Sequence, residues 1–283
     1  MSIVVTAATG HLGTLVIDEL LQRVPADQVV AVARNAEKAA PIADRGVEVR
    51  VADYNDPDAL AKAFGAGDTV LLISGLDPNR LEQHQAVITA AKNAGAARIA
   101  YTSVLGGPDA DFELATDHIA TEQAILDSGL PYTFLRNGWY SEVYTDQIAV
   151  QLANGVVGSA GDGRIASATR RDYAAAAAAV LTGEGHEKKA YELNGDTTWT
   201  LTDYAAELSK QSGQDVAYNN LSPEDLAQVL AGAGIPESFV PVLVGVNKAI
   251  ERGLLAGRGT DLSDLIGRPT TPIADTIAEA LKG

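Results

Sequence analysis

Ile3-Val4-Val5-Thr6-Ala7-Ala8-Thr9-Gly10-His11-Leu12-Gly13 opens the chain with an apolar run and a glycine-bearing turn, followed by an amphipathic segment reaching about Arg23. A buried strand, a tight turn and a helix in that order make the first βα unit of a dinucleotide-binding fold. Gly10 lets the backbone come close to a pyrophosphate, and Gly13 lets the helix lie tight on the sheet. The unpaired N–H groups and the dipole at the helix start favour an anion. Ala7, Ala8, Thr9, Gly10, His11, Leu12 and Gly13 are therefore candidate cofactor contacts. The first position of the usual glycine triplet is Ala7, so the fingerprint is partial. The strand before it and the helix after it carry the reading.

Working outward, apolar runs alternate with helical ones through the first half. Strands are expected at Val29–Ala33, Val47–Ala52, Thr69–Ser74, Arg98–Ser103 and Tyr132–Arg136, with helices near Ala36–Asp44, Pro57–Phe64, Leu81–Ala94 and Asp117–Ser128. Near-continuous apolar strands joined by helices predict an α/β fold, a Rossmann-type doubly wound parallel sheet. After Arg136 the pattern loosens into a glycine-punctuated region. An alanine-rich helix follows from Asp172, its expected N-cap, to Thr182. A strand at Ala190–Leu193, a helix near Thr202–Ser212, a strand at Val216–Tyr218 and further helices complete the chain; Ser222-Pro223-Glu224-Asp225 carries a helix start signal. The expected organisation is a nucleotide-binding domain over residues 1–137 and a smaller, mostly helical lobe over 138–283, with segments returning to the main sheet.

Composition narrows the function. With 283 residues, 46% hydrophobic content and a formal net charge of −16, the chain reads as a globular protein with a large core. No apolar run is long enough to span a bilayer. Phosphate-backbone binding needs a basic surface, so nucleic acid is not an expected partner. The chain has no cysteine, which removes disulfides, thiolate metal sites and a thiol nucleophile. Met1-Ser2-Ile3 runs straight into a strand without a charged and apolar leader, and a cytoplasmic location is expected. An anionic cofactor then needs a local positive patch against the overall field.

That patch has a candidate at the end of the second strand. An NAD enzyme usually places an acidic residue about 20 residues after the glycine turn, to bind the ribose hydroxyls. Here Arg34 stands in that place, and Lys38 follows four residues on. Read alone, Arg34 fits a solvated surface residue; directly after the second strand, the two cations suit a 2′-phosphate. NADPH is thus expected, with NADH weaker. Ligands of open parallel sheets lie beyond the carboxyl ends of the strands. This places Ser74, Gly75 and Leu76 beside the ribose and Thr102 and Ser103 nearer the nicotinamide, although hydroxyls at strand ends also serve as caps. Asn137, Gly138, Trp139, Tyr140, Ser141 and Glu142 follow the sixth strand and are further candidate cofactor contacts, with Trp139 and Tyr140 given a mixed role, cofactor contact first and substrate wall second. Trp139 and Tyr140 could wall a flat substrate ring beside the cofactor or pack the small lobe.

The segments Ala7–Gly13, Arg34, Thr102-Ser103, Asn137–Glu142, Ala166–Arg170 with Asp172-Tyr173-Ala174, and Gly267–Thr271 occur in one order. In this the chain resembles the NmrA-like atypical short-chain dehydrogenases, above all their bacterial NAD(P)H:quinone oxidoreductase type 2 branch. The resemblance covers the whole chain. It implies a Rossmann domain with a small C-terminal lobe, NADPH as hydride donor and a quinone as small-molecule acceptor; it leaves a homodimer open. Ala7 departs from the family's glycine.

Typical short-chain dehydrogenases carry a Tyr-x-x-x-Lys pair, the lysine lowering the tyrosine pKa for acid–base work. None of the nine tyrosines here has a lysine four residues on. The corresponding helix carries His118 and Glu122 on one face, which allows a His–Glu pair. His118 is the one weak candidate for a proton-donating or orienting group, against a packing role. Reducing a ketone yields a very basic alkoxide and needs such an acid; reducing a quinone yields a delocalised anion that water can protonate. The expected activity is thus hydride transfer from NADPH to quinones or similar flat, electron-poor acceptors. The alternatives are reduction of triphenylmethane or azo dyes and a non-catalytic NADP(H) sensor of the NmrA type. No metal-binding spacing is present.

Overall fold

A computed structural model of the chain describes residues 2–282. The first half alternates as expected: β1 Ile3–Val5, α1 His11–Leu21, β2 Val29–Ala33, α2 Ala36–Ala43, β3 Glu48–Val51, α3 Pro57–Ala63, β4 Thr69–Leu72, α4 Arg80–Asn93, β5 Arg98–Val104, α5 Ala115–Ser128 and β6 Tyr132–Asn137. There follow α6 Glu142–Thr145, α7 Ile148–Asn154, β7 Val156–Gly158, α8 Arg170–Thr182, β8 Lys189–Leu193, α9 Leu201–Ser212, β9 Tyr218–Asn220, α10 Pro223–Gly232, α11 Val240–Glu251, α12 Asp261–Ile266 and α13 Ile273–Ala280.

The main sheet has the order β3-β2-β1-β4-β5-β6-β8, and its first six strands pair in parallel. The order reverses between β1 and β4, the switch point at which such sheets bind ligands. Every residue of β2 and of β4 is buried, which explains why both read as unbroken apolar runs. Local signals set the helix starts. Asn35 Oδ1 accepts from Lys38 N–H at α2, and Asp56 accepts from Asp58 and Ala59 N–H ahead of Pro57 at α3.

Two compact units emerge, each built from several stretches of chain. The first comprises the residues up to Gly107, Asp117–Asn137 and Arg170–Tyr191; the second comprises Pro108–Thr116, Gly138–Thr169 and the chain from Glu192 on. In the first unit Val4, Val30, Val32, Leu60, Leu72, Ile99, Tyr101 and Phe134 share one core. There α8 packs along α1, its buried Ala174–Ala178 run allowing close approach. This helix begins at Arg170, two residues before the expected cap. Asp172 lies fully buried in its first turn rather than capping it. In the second unit Ile165, Trp199, Tyr204, Leu208, Val246, Ile250 and Ile277 form a separate core, with Tyr144 edge-on to Trp199 at 4.9 Å. Its short strand is Tyr218–Asn220, not Val216–Tyr218, because Val156 pairs with Tyr218 while Val216 turns into the core. No helix among the described residues is long and apolar enough to cross a membrane.

Candidate functional site

The turn after β1 is closed by Gly10 N–H donating to Ala7 O at 2.9 Å, while Ala8 N–H donates to Val32 O at 3.1 Å. Ala7 adopts φ +49°, one of two described non-glycine residues with a positive φ. This is the glycine position of the fingerprint, and the turn keeps its left-handed shape although the glycine is gone. A Cβ on Gly13 would overlap Ala7 O and come within 2.8 Å of Ala8 Cα, so α1 meets the turn at a distance only glycine permits. At the start of α1, Gly10 is the N-cap, no side chain caps the helix, and its first turn holds no acidic residue. Its N–H groups and dipole therefore suit an anion such as a nucleotide diphosphate.

Thr6 fixes the tip of β1 against β4. Its Oγ1 donates to Leu71 O at 3.0 Å and accepts from Ile73 N–H at 3.1 Å and from Tyr54 Oη at 2.5 Å. Burial pushes the Tyr54 phenol far above its ordinary value, so it remains a neutral strut. Arg34 follows β2 with a 68% exposed side chain, its Nη1 3.8 Å from Asp77 Oδ2. Lys38 is exposed in the first turn of α2. The structure therefore presents two cations in solvent beyond β2.

Ser74 and Thr102 come together: Ser74 N–H donates to Thr102 Oγ1 at 2.9 Å, and Thr102 Oγ1 donates to Ser74 Oγ at 3.3 Å. Gly75 N–H donates to His84 Nε2 at 3.2 Å, and His84 Nδ1 lies 3.0 Å from Thr121 Oγ1. The backbone donor fixes the tautomer, leaving the His84 proton on Nδ1. Leu76, next along, is 71% exposed.

In place of the His118–Glu122 pair that the spacing allows, the two residues make other partnerships, and His118 takes the packing role that was its alternative. His118 Nδ1 lies 2.8 Å from Tyr101 Oη. Burial, with the Arg80 charge nearby, holds this imidazole down to about 3, so it is neutral and inside the protein. Glu122 accepts from Ser103 Oγ at 2.6 Å and from Arg136 Nε and Nη2 at 2.9 and 2.8 Å. Gly107, at φ +47°, makes room for the Arg136 guanidinium, which a Cβ there would strike. The Ser103 hydroxyl is thus committed to a buried carboxylate.

Asn137 closes β6, its carbonyl accepting from Leu105 N–H at 2.9 Å. Gly138, Trp139, Tyr140, Ser141 and Glu142 begin the next stretch of the second unit. Gly138 N–H donates to Leu193 O, Ala168 N–H to Trp139 O and Ser141 N–H to Ala168 O, at 2.7, 3.1 and 3.0 Å. Ser141 Oγ pairs with Ser167 Oγ at 2.8 Å, and Trp199 Nε1 donates to the latter at 3.1 Å. Trp139 is half-buried against the second core, which gives it a packing role. Glu142 starts the short helix α6 behind Ser141. Among the described residues, no group of His, Asp and Glu is arranged to hold a metal ion.

Three contacts were not visible in the sequence: Tyr54 on Thr6, His84 on Gly75, and Asp77 beside Arg34. The first and third join segments far apart in the chain that only the strand order brings together, and the second folds the start of α4 back onto the end of β4.

Comparison with known proteins agrees with this geometry. Residues 7–184 match the family model described as NAD(P)H-binding. Quinone oxidoreductase 2 of Escherichia coli (strain K12) is 49% identical over 278 residues, spanning 98% of this chain and 97% of that protein. The crystal structure of an NADPH-dependent quinone oxidoreductase from Escherichia coli, complexed with NADPH, is 48% identical, covers 99% of each chain and superposes with a TM-score of 0.96. Triphenylmethane reductase of Citrobacter sp. is 43% identical over 100% of both chains, with a TM-score of 0.94. The glycine-bearing turn, the reversal of strand order between β1 and β4 and the matched span together make this chain a member of the NAD(P)H-binding family.

Proposed function

We propose that this chain is an NADPH-dependent quinone oxidoreductase. The turn Ala7–Gly13 and the start of α1 hold the cofactor diphosphate, and Arg34 and Lys38 hold its 2′-phosphate. Ser74, Gly75, Leu76, Thr102, Ser103 and Asn137 line the ribose and nicotinamide side. Trp139 and Tyr140 contact the cofactor and wall the acceptor ring. When bound, NADPH supplies a hydride.

The reading rests on one observation: the residues that could donate a proton are engaged elsewhere. Ser103 donates to Glu122, and His118 is neutral, buried and paired with Tyr101. Burial also raises the Tyr101 phenol well above its ordinary value. The chain's own contribution is then to bind, orient and hold two planar rings in contact, which is what hydride transfer to a quinone asks for. Hydride addition gives a hydroquinone anion that spreads its charge over the ring and takes the one remaining proton from water. A ketone or simple aldehyde lacks that route and should not turn over.

The test is the loss of dihydronicotinamide absorbance with NADPH, with and without a small quinone. Saturable, quinone-dependent oxidation supports the proposal. Tight NADPH binding with no turnover on any planar acceptor overturns it in favour of a nucleotide sensor. The likeness to triphenylmethane reductase favours a second reading, dye reduction, and a triphenylmethane dye in the same assay ranks the two by kcat/KM.

A further inference from the structure

We propose that Asp77 tunes the choice between phosphorylated and unphosphorylated nicotinamide nucleotides by competing with the 2′-phosphate for Arg34. This rests on the cofactor reading above and adds a specificity-determining residue to it.

The geometry starts with strand order. Arg34 directly follows β2, Asp77 lies five residues beyond β4, and β1 runs between those strands. Two strand spacings are about 9.6 Å, so the pair reaches across the tip of the strand that leads into the Ala7–Gly10 turn. Arg34 Nη1 stands 3.8 Å from Asp77 Oδ2, with the side chains 68% and 49% exposed.

Asp77 is not a loose surface carboxylate. Gln83, on the buried side of α4, donates through Nε2 to Asp77 Oδ2 at 3.2 Å; the same amide lies within 3.3 Å of Asn55 Oδ1 and 3.2 Å of Asn79 Oδ1. Asn79 Nδ2 in turn donates to Asn55 Oδ1 at 2.9 Å. Two residues upstream, His84 holds Gly75 N–H. The segment that carries the carboxylate is therefore tied down at two points, and an amide array positions the charge.

An arginine guanidinium offers a planar fork of five donors, and a phosphate dianion uses that fork bidentately. An anchored carboxylate already at one edge of the fork has two effects. It gives Arg34 a counter-charge when no phosphate is present, which binding of NADPH must displace. It also places a like charge beside the incoming dianion. A nucleotide with a plain 2′-hydroxyl meets neither effect. Asp77 thus narrows the preference for NADPH that Arg34 alone would create.

The experiment is titration calorimetry of the full chain with NADPH and with NADH at low ionic strength, for the wild type and Asp77→Asn. The asparagine keeps an oxygen for Gln83 and removes the charge. NADPH is expected to bind the variant about threefold to tenfold more tightly, with NADH unchanged within about twofold. In an Arg34→Ala background, Asp77→Asn should raise NADPH affinity by clearly less than in the wild type, because the competition for the arginine is gone and only the like-charge effect is left. A merely structural role would weaken both nucleotides together, and that result overturns the proposal. So does an unchanged NADPH affinity in the variant, or an equal gain without Arg34. If the wild type binds no NADPH at all, the functional reading fails and this one fails with it; binding by the wild type without a gain in Asp77→Asn overturns this inference alone.

Discussion

Replacing Ala7 by glycine should stabilise the protein, against the usual sense of an alanine-to-glycine change. Ala7 holds φ +49° in a turn whose carbonyl accepts from Gly10 N–H and faces Gly13 at a distance no side chain there would allow. A left-handed backbone costs an L-residue about 1–2 kcal/mol relative to the right-handed region. Glycine escapes that cost but gives the unfolded chain about 0.4–1 kcal/mol of extra freedom. The difference leaves a net gain of about 0.8 kcal/mol for Ala7→Gly, or about 2 °C in Tm for a chain of this size. Ala7→Val, β-branched in the same region, should move the other way by more than about 1 kcal/mol. Urea denaturation of the three proteins, with calorimetric melting as a second probe, measures both shifts. NADPH affinity of the glycine variant should equal or exceed that of the wild type, because the turn keeps its shape. An Ala7→Gly protein that melts at or below the wild type, beside an Ala7→Val protein that melts with it, would refute the idea that the turn stores strain.

Four further outcomes are expected. Arg34→Ala should weaken NADPH binding by about 1.5–3 kcal/mol through a lost charge-assisted phosphate contact, with NADH much less affected; equal losses for both would show that the arginine does not read the 2′-phosphate. His84 and His118 titrate near 6.5 when unfolded, and burial lowers them to about 4 and about 3 in the folded chain. Below pH 6.5 the unfolded chain takes up protons that the folded chain refuses, so stability is full above that pH and falls towards pH 4. The loss at pH 5 is about 2 kcal/mol per histidine, read as a fall in the urea midpoint between pH 7 and pH 5 that a His84→Phe/His118→Phe protein lacks. Glu122→Leu takes the carboxylate from a buried Arg136 and from Ser103 and should cost about 3–5 kcal/mol. Glu207→Gln, which breaks the exposed Lys210 pair, should cost under about 0.5 kcal/mol by the same denaturation measurement.

The parallel sheet was legible because strands buried on both faces, such as Val29–Ala33 and Thr69–Leu72, keep continuous apolar runs that polar turns interrupt. Helix starts were legible where a cap residue announces them, as Ser222 does ahead of Pro223. The strand Tyr218–Asn220 was not, since two of its three residues are exposed asparagines and its register comes from Val156–Gly158. Asp172 misled because a helix-capping residue type sits inside a helix, buried for tertiary reasons that no local pattern records. At the candidate site, the glycine turn and Arg34 were readable from spacing after a strand. The His118–Glu122 spacing correctly implied a shared helix face, but spacing says nothing of what the neighbouring strands present to it. Tyr101 claims His118, and Ser103 and Arg136 claim Glu122.

The way the chain passes back and forth between its two units decides what can be cut from it. A fragment ending at Asn137 would look like a complete nucleotide-binding domain, yet it would lack Arg170–Tyr191. It would lose the alanine-faced helix α8 and leave bare the flank of α1 against which that helix lies. It would also lose β8 and uncover β6 as a raw sheet edge. Such a fragment should aggregate on expression, whereas a split after Leu193, with the two pieces co-expressed, leaves the sheet whole in the first piece.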